Sequence, residues 1–429
     1  MRLFLFILFS AFVVGCDSPE VTHTWSTLYG DSGRKATVKA SGRSADPDCE
    51  VVMSEYCQQI DGFGYTLTSR EANMLAHMPR DEQHRLIYAL HGVDGAAGDI
   101  IQLAIKASGY ERYMEGAIDK ETAARSIHSS VAADSLSFVP YLRNVLDFTG
   151  DKLIWAMPMR PSVDESVYRS DGEAMSLYKD YQYLFLRNML DAGVKIDMTS
   201  PQSDLDFSRR PLVDELSAGR FISGYLGPAM DDINVNICLG SVSSVSYDID
   251  AILDDDKVRG YVSSVAFCDT VNCKWIADKC YGYGIGKIIA VQDRTAEKGS
   301  FKTWERIRRM IRDGATGYVF SGLCDTTDIP STLVVVDPDG NVDYNSDYFL
   351  FRQMGRNISP GALRIRTRGR FSDLLAFMNR DNSVVIVAVN RSENLKPLVI
   401  NINDYSLNPV LPPESINTFV IKGDNGFFK

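Results

Sequence analysis

Apolar residues recur along this chain in two rhythms, and the change between them divides it. From residue 51 to about 328, short apolar runs alternate with stretches whose apolar positions fall three and four apart. The runs predict strands at Cys57 to Phe63, Asp99 to Ile105, Lys152 to Met157, Ile196 to Met198, Asn234 to Leu239, Tyr261 to Phe267, Lys287 to Val291 and Thr316 to Phe320. The stretches predict helices at Glu173 to Ala192, Leu212 to Tyr225, Ile249 to Leu253, Lys274 to Cys280 and Phe301 to Arg312. Thr68-Ser69-Arg70-Glu71 reads as a capping box opening a helix after the turn Asp61-Gly62-Phe63-Gly64. A second helix starts at Pro79, buries Leu86, Ile87 and Leu90, and stops at Gly92. From Ile105 to about Val139 the chain reads as a long polar insertion, followed by a helix near Tyr141. Eight strands alternating with helices predict an α/β fold, a closed (β/α)8 TIM barrel over residues 51–328.

After Asp325 the period changes to two. Leu333 to Val336, Leu363 to Arg366, Leu374 to Met378, Val384 to Val389, Leu398 to Ile402 and Ile416 to Ile421 predict strands separated by turn residues. They place a β-sandwich of about seven strands at residues 329–429, joined by the strand before Ile60. Residues 17–50, rich in Ser, Gly, Asp and Thr, read as a tether and a first side-domain strand. Residues 1–16 carry Arg2, an apolar run from Leu3 to Val14, and Gly15-Cys16. That run is too short to span a bilayer and reads as an export signal. The small residue before Cys16 resembles the lipobox of bacterial lipoproteins, so the expectation is an exported lipoprotein held at a membrane, in the periplasm or at the cell surface, by a lipid on Cys16.

Composition narrows the chemistry. The formal net charge of −11, with no dense Lys/Arg run, argues against nucleic acid as a partner. Seven cysteines follow Cys16, an odd number; Cys49 and Cys57 flank a strand and are candidates for a bridge. Cys268, Cys273 and Cys280 lack a CxxC pair and a neighbouring His, so no metal site is expected. None of the five histidines falls at a predicted strand end, which removes the usual partner of a nucleophilic Ser or Cys. No phosphate- or dinucleotide-binding fingerprint occurs, and no cofactor is implied.

Carboxylates, amides and aromatics remain, the residue types with which barrels handle sugars. Loops at the carboxyl ends of barrel strands expose reactive groups. The stretch Lys195 to Phe207 leaves its strand at Pro201 and presents Gln202, Ser203, Asp204 and Asp206. Asp204 is the first candidate carboxylate, with an Asx turn as the plain alternative. The second lies in Gln292-Asp293-Arg294, after the seventh strand. Glycosidic hydrolysis needs two carboxyls roughly 5 to 5.5 Å apart for retention, or roughly 6.5 to 9.5 Å apart for inversion. Trp155, Met157, Tyr318 and Phe320 are candidates for a sugar platform, with barrel core as the alternative.

Gln59-Ile-Asp-Gly-Phe-Gly64, Ala89 to Gly95, Tyr181 to Gly193, Phe221 to Pro228, Val335 to Asn345, Ser359 to Ile365 and Leu411 to Thr418 together resemble glycoside hydrolase family 30, the glucosylceramidase-like enzymes. The resemblance is collinear from about Gln58 to Ile421. It implies a barrel with a sandwich side domain and a retaining β-glycosidase, but the matching positions have changed. The family's acid/base run Pro-Gln-Asn-Glu-Pro reads here Pro201-Gln202-Ser203-Asp204-Leu205, and its nucleophile Glu falls on Gln292. A neutral amide cannot form a glycosyl ester. Family sugar contacts fall on Gln102, Gly109, Pro158, Val265, Phe267, Ser321 and Gly322. The candidate catalytic positions are therefore Asp204, Asp293 and Gln292. The candidate substrate contacts are Gln102, Trp155, Ser203, Phe267, Phe320 and Ser321.

An enzyme adapting to a new sugar would keep its two carboxylates. Their joint loss favours a degenerate barrel that binds carbohydrate. Two alternatives stay open: an inverting hydrolase acting on β-glycosides through Asp204 and Asp293, and a scaffold subunit of a surface glycan-uptake system.

Overall fold

The computed structural model describes residues 20–27, 30–106, 112–113, 116–159, 172–201, 215–242, 248–293, 299–325 and 332–422. Its centre is a closed barrel of eight parallel strands. In order these are Gly62–Thr68, Ile100–Ile105, Leu153–Pro158, Met198–Thr199, Asn236–Val242, Val262–Cys268, Lys287–Val291 and Gly317–Phe320. They are called here strands one to eight. Strand eight closes the barrel on strand one, with Gly317 opposite Gly62 and Phe320 opposite Tyr65.

Alternation along each strand sorts its side chains into two layers. Ile100, Trp155, Met157, Met198, Cys238, Ala266, Ile289, Val291 and Val319 fill the lumen. The residues between them, such as Phe63, Tyr65, Leu67, Ile288, Ala290, Tyr318 and Phe320, pack outward under the helices. The strand expected over Cys57 to Phe63 divides in two: Cys49–Gln59 belongs to the side domain and strand one begins at Gly62. Its glycines, read as a turn, serve close approach instead. A Cβ on Gly64 would lie 1.9 Å from the Ile100 carbonyl oxygen, so strand two can pair there only with glycine.

From Lys120 on, the polar insertion expected before Val139 is one helix with the segment after it, Lys120–Thr149, 30 residues long. Ala123, Ile127, Val131, Ser135, Phe138, Tyr141, Leu142 and Val145 form its buried stripe. Small Ala and Ser at several of those positions, and the helix-interior Pro140, dilute the apolar rhythm that marks such a stripe in sequence. The capping box at Thr68 forms as expected.

The side domain is a nine-stranded sheet closed on itself. The segment expected to be a tether supplies two of its strands, Glu20–Thr27 and Gly30–Gly42. Val21 and Ala40 join the core and His23 and Ser26 are buried polar residues, a pattern too sparse in apolar positions to read as strand. Val334–Val336, expected in the sandwich, pairs instead with Val342–Tyr344 and Cys324–Asp325 in a small separate sheet. The helix Ser346–Gly355 then leads into the side domain. The seven cysteines after Cys16 are all free thiols. Cys49 and Cys57 sit eight residues apart on one strand, which holds them far beyond disulfide reach.

Candidate functional site

The carboxyl ends of the barrel strands form the mouth. A cleft of about 280 Å³ opens over strands one, two, three and eight, bordered by Arg70, Glu71, Lys106, Ser321, Gly322 and Asp325. Glu71 is the capping-box residue of the helix that follows strand one. One of its oxygens accepts the Thr68 N–H at 2.6 Å; the other accepts the N–H groups of Leu323 and Cys324 at 3.1 and 3.2 Å. The cap therefore also anchors the chain leaving strand eight. With both oxygens engaged, Glu71 serves as a structural clasp.

Gln292 follows strand seven, where Ile289 and Val291 face the lumen and Ile288 and Ala290 face the helices. Its side chain keeps the outward phase. The amide nitrogen donates to the Thr303 hydroxyl and to Asp347 Oδ2, each at 3.3 Å. The amide oxygen accepts from the N–H and the hydroxyl of Ser321 at 3.0 and 3.2 Å. Two donor and two acceptor interactions saturate a carboxamide of this kind. Gln292 is thus a rivet joining the ends of strands seven and eight to two helices, Ser300–Asp313 and Ser346–Gly355.

Asp293, next in line, takes the lumen phase of Ile289 and Val291 by alternation and is 6% exposed. Its backbone N–H donates to Asp269 Oδ1 at 3.0 Å. Asp269 lies just past strand six with no exposed surface. Its other oxygen accepts from the Tyr318 hydroxyl at 2.6 Å and pairs with Arg306 Nε at 2.8 Å. Burial first, then the neighbouring carboxylate of Asp269, drives the Tyr318 hydroxyl far above its ordinary pKa, so it remains a donor. This buried group fixes the backbone path that presents Asp293. Asp269 was not singled out in the sequence, although a carboxylate directly after a predicted strand end was a signal for it.

The other predicted residues separate by layer. Trp155 fills the lumen, fully buried, and donates its indole N–H to the Ser200 hydroxyl at 2.9 Å. It is barrel core and not a sugar platform. Phe267 and Phe320 are also corrections: both lie in the outer layer under the helices, Phe320 against Phe351 and Tyr318. Their positions in strands six and eight give them the phase opposite to Ala266 and Val319. Gln102 points into the lumen below the cleft, its carbonyl accepting from Thr66 at 2.7 Å, and has no exposed surface. Of the substrate candidates described, Ser321 alone borders the cleft. Ser203, Asp204 and Cys16 lie outside the described residues.

Lys106 borders the cleft where strand two ends. Burial lifts the Asp134 carboxyl to about 6, against the opposing pull of Lys106 and a hydrogen bond from Tyr181. The long helix thus sets a half-buried acid behind Lys106, one of the two cations that border the cleft.

Residues 361–419 match the model of the glycosyl hydrolase family 30 β-sandwich domain. No curated protein matches the chain. Among solved structures, SrfJ from Salmonella typhimurium is similar over 94% of this chain and 99% of its own, with a TM-score of 0.78 at 14% identity. The endo-β1,6-glucanase BT3312 gives 0.75 at 15% identity with the same coverage of both chains. The catalytic domain of family 30 xylanase C from Talaromyces cellulolyticus gives 0.66 at 17% identity, over 87% of this chain and 99% of that one. The chain therefore has the barrel-and-sandwich fold of these proteins, and its resemblance to family 30 holds in the sandwich sequence and in the fold as a whole.

Proposed function

We propose that this chain is an exported, lipid-anchored barrel of the family 30 type that binds a β-linked glycan at its mouth without retaining hydrolysis. The observation that carries the reading is the state of Gln292. The residue aligned with the nucleophile is a neutral amide, turned out of the barrel and saturated by Thr303, Asp347 and Ser321. Glu71, one of two carboxylates that border the cleft, has both oxygens committed to backbone N–H groups. A retaining mechanism needs a free carboxylate at the anomeric carbon, and neither position supplies one.

The fold shared with an endo-β1,6-glucanase and a xylanase makes β1,6-glucan and xylan the first ligands to test. Export and anchoring through Cys16 rest on the leader pattern of residues 1–16. Hydrolysis by inversion through Asp204 and Asp293 is a second reading, favoured by the lumen phase of Asp293 alone. Calorimetric binding of both glycans to the full chain in non-ionic detergent, run beside a reducing-end assay, tests the proposal. Binding with no new reducing ends is expected. Release of reducing ends with inverted anomeric configuration that disappears in the Asp204→Asn and Asp293→Asn proteins would replace the proposal with the inverting mechanism.

A further inference from the structure

Where the helix Ser300–Asp313 packs on the side domain, the fold gathers arginines that are far apart in sequence. Arg308 and Arg312 share one face of the helix Ser300–Asp313. Arg364, Arg366 and Arg368 alternate along the side-domain strand Leu363–Gly369, so they form a row on one face at about 7 Å steps. The two elements meet where Arg364 donates to the Arg312 carbonyl at 3.4 Å and to Gln58 Oε1 at 3.0 Å. Arg391 extends the array from the next strands by pairing with Glu305 and Asp373 at 3.1 and 3.0 Å.

These six arginines have four carboxylates among them. Asp373 is shared by Arg308 and Arg391, and Glu55 by Arg366 and Arg368. Asp313 and Glu305 border a groove of about 430 Å³ with Arg308, Arg309 and Arg312. Arg364 hydrogen-bonds neutral acceptors only, and the Arg312 guanidinium is exposed with no hydrogen-bond or ion-pair partner among the described residues. Burial lowers both Arg308 and Arg364 from their ordinary values, and like charge from neighbouring arginines adds to it against the opposing pulls of Asp373 and Glu305 at Arg308 and of Cys57 and Asp313 at Arg364. Crowding cations in this way is unfavourable unless an anion relieves it, and it occurs on a chain of net charge −11.

We propose that this seam between the helix Ser300–Asp313 and the strand Leu363–Gly369 is a docking surface for a linear acidic polysaccharide. All six cations are arginines, whose planar forks pair two oxygens at once and so suit carboxylate or sulfate groups. Their arrangement in a row suits a polymer with repeated charges better than a single small anion. The surface uses none of the mouth residues, so its failure and that of the mouth reading are separable.

The test is retention of the full chain, in non-ionic detergent at low salt, on immobilised polygalacturonate, dextran sulfate, neutral β-glucan and single-stranded DNA. Retention on one or both acidic polysaccharides is expected, falling as salt rises, with the first two matrices separating carboxylate from sulfate recognition. Arg312→Glu should weaken it roughly tenfold. That substitution removes no intramolecular partner, and unchanged melting would show the protein folded; Arg366→Ala provides a second variant in the row. Equal retention on neutral glucan, tighter retention on DNA, no retention on either acidic matrix, or wild-type retention by both variants would each overturn the proposal.

Discussion

Gln292 shows how one strand phase decides what a residue can do. Val291 and Gln292 are neighbours, yet the first lines the lumen and the second is held among the helices by four hydrogen bonds. Placing at this position the carboxylate that the resemblance implies should therefore fail to create chemistry. Gln292→Glu would remove the donor to Asp347 and set a second carboxylate against it, costing about 1 to 3 kcal/mol of stability. Urea unfolding should show that loss, and aryl β-glycosides should show no turnover. Measurable turnover by the Gln292→Glu protein would mean that the side chain reaches the mouth after all. Thr68→Ala tests the Glu71 clasp from its other side: losing the cap should cost about 1 kcal/mol, read as a lowered melting temperature.

Among the elements, strand one has the least tolerance. A methyl group on Gly64 would enter the Ile100 backbone at 1.9 Å, so Gly64→Ala should destabilise by about 3 kcal/mol or more, or leave the protein unfolded when expressed. A near-wild-type unfolding curve for that variant would contradict the pairing of strands one and two. Such elements also show what could be read beforehand. Strands two, three, six, seven and eight were legible because their apolar runs are flanked by turn residues, and the Thr68 cap because its residue types occur at the required spacing. Strand one was misplaced because glycine in a turn and glycine at a close approach look alike in sequence. Phe267 and Phe320 were assigned to the mouth because alternation gives two faces but not which is the lumen. Only the neighbours across the barrel settle that phase, and the same ambiguity hid the outward course of Gln292.

For the whole molecule, buried ionisable groups below the mouth tie stability to pH. His91 is buried, with its ring nitrogens against the Tyr65 hydroxyl at 2.8 Å and the Gly98 carbonyl at 3.2 Å. Burial, helped by the charge of Lys152, lowers its pKa from 6.5 to about 3. The unfolded chain then binds the proton more readily, so the His91 contribution is fully present above pH 6.5 and is lost progressively as the pH falls towards 3. Asp99 works in the opposite direction. Burial raises it from 3.8 to about 7, so its contribution is full below pH 3.8 and declines as the pH rises through 7. Comparing wild type with His91→Gln isolates the histidine: their difference in unfolding free energy should grow between pH 4 and pH 7. A difference independent of pH would mean that His91 is not held neutral in the folded state.

The central claim concerns the mouth, proposed to bind a β-linked glycan, while Gln292, where the resemblance places the nucleophile, is a saturated amide held among the helices. The most direct measurement is turnover of β1,6-glucan, xylan and aryl β-glycosides by the full chain, with Asp204→Asn and Asp293→Asn proteins beside it and calorimetric binding recorded on the same samples. The account predicts binding of a β-linked glycan and no hydrolysis by any of the three proteins. Hydrolysis with retention of the anomeric configuration, abolished by Asp204→Asn, would contradict it.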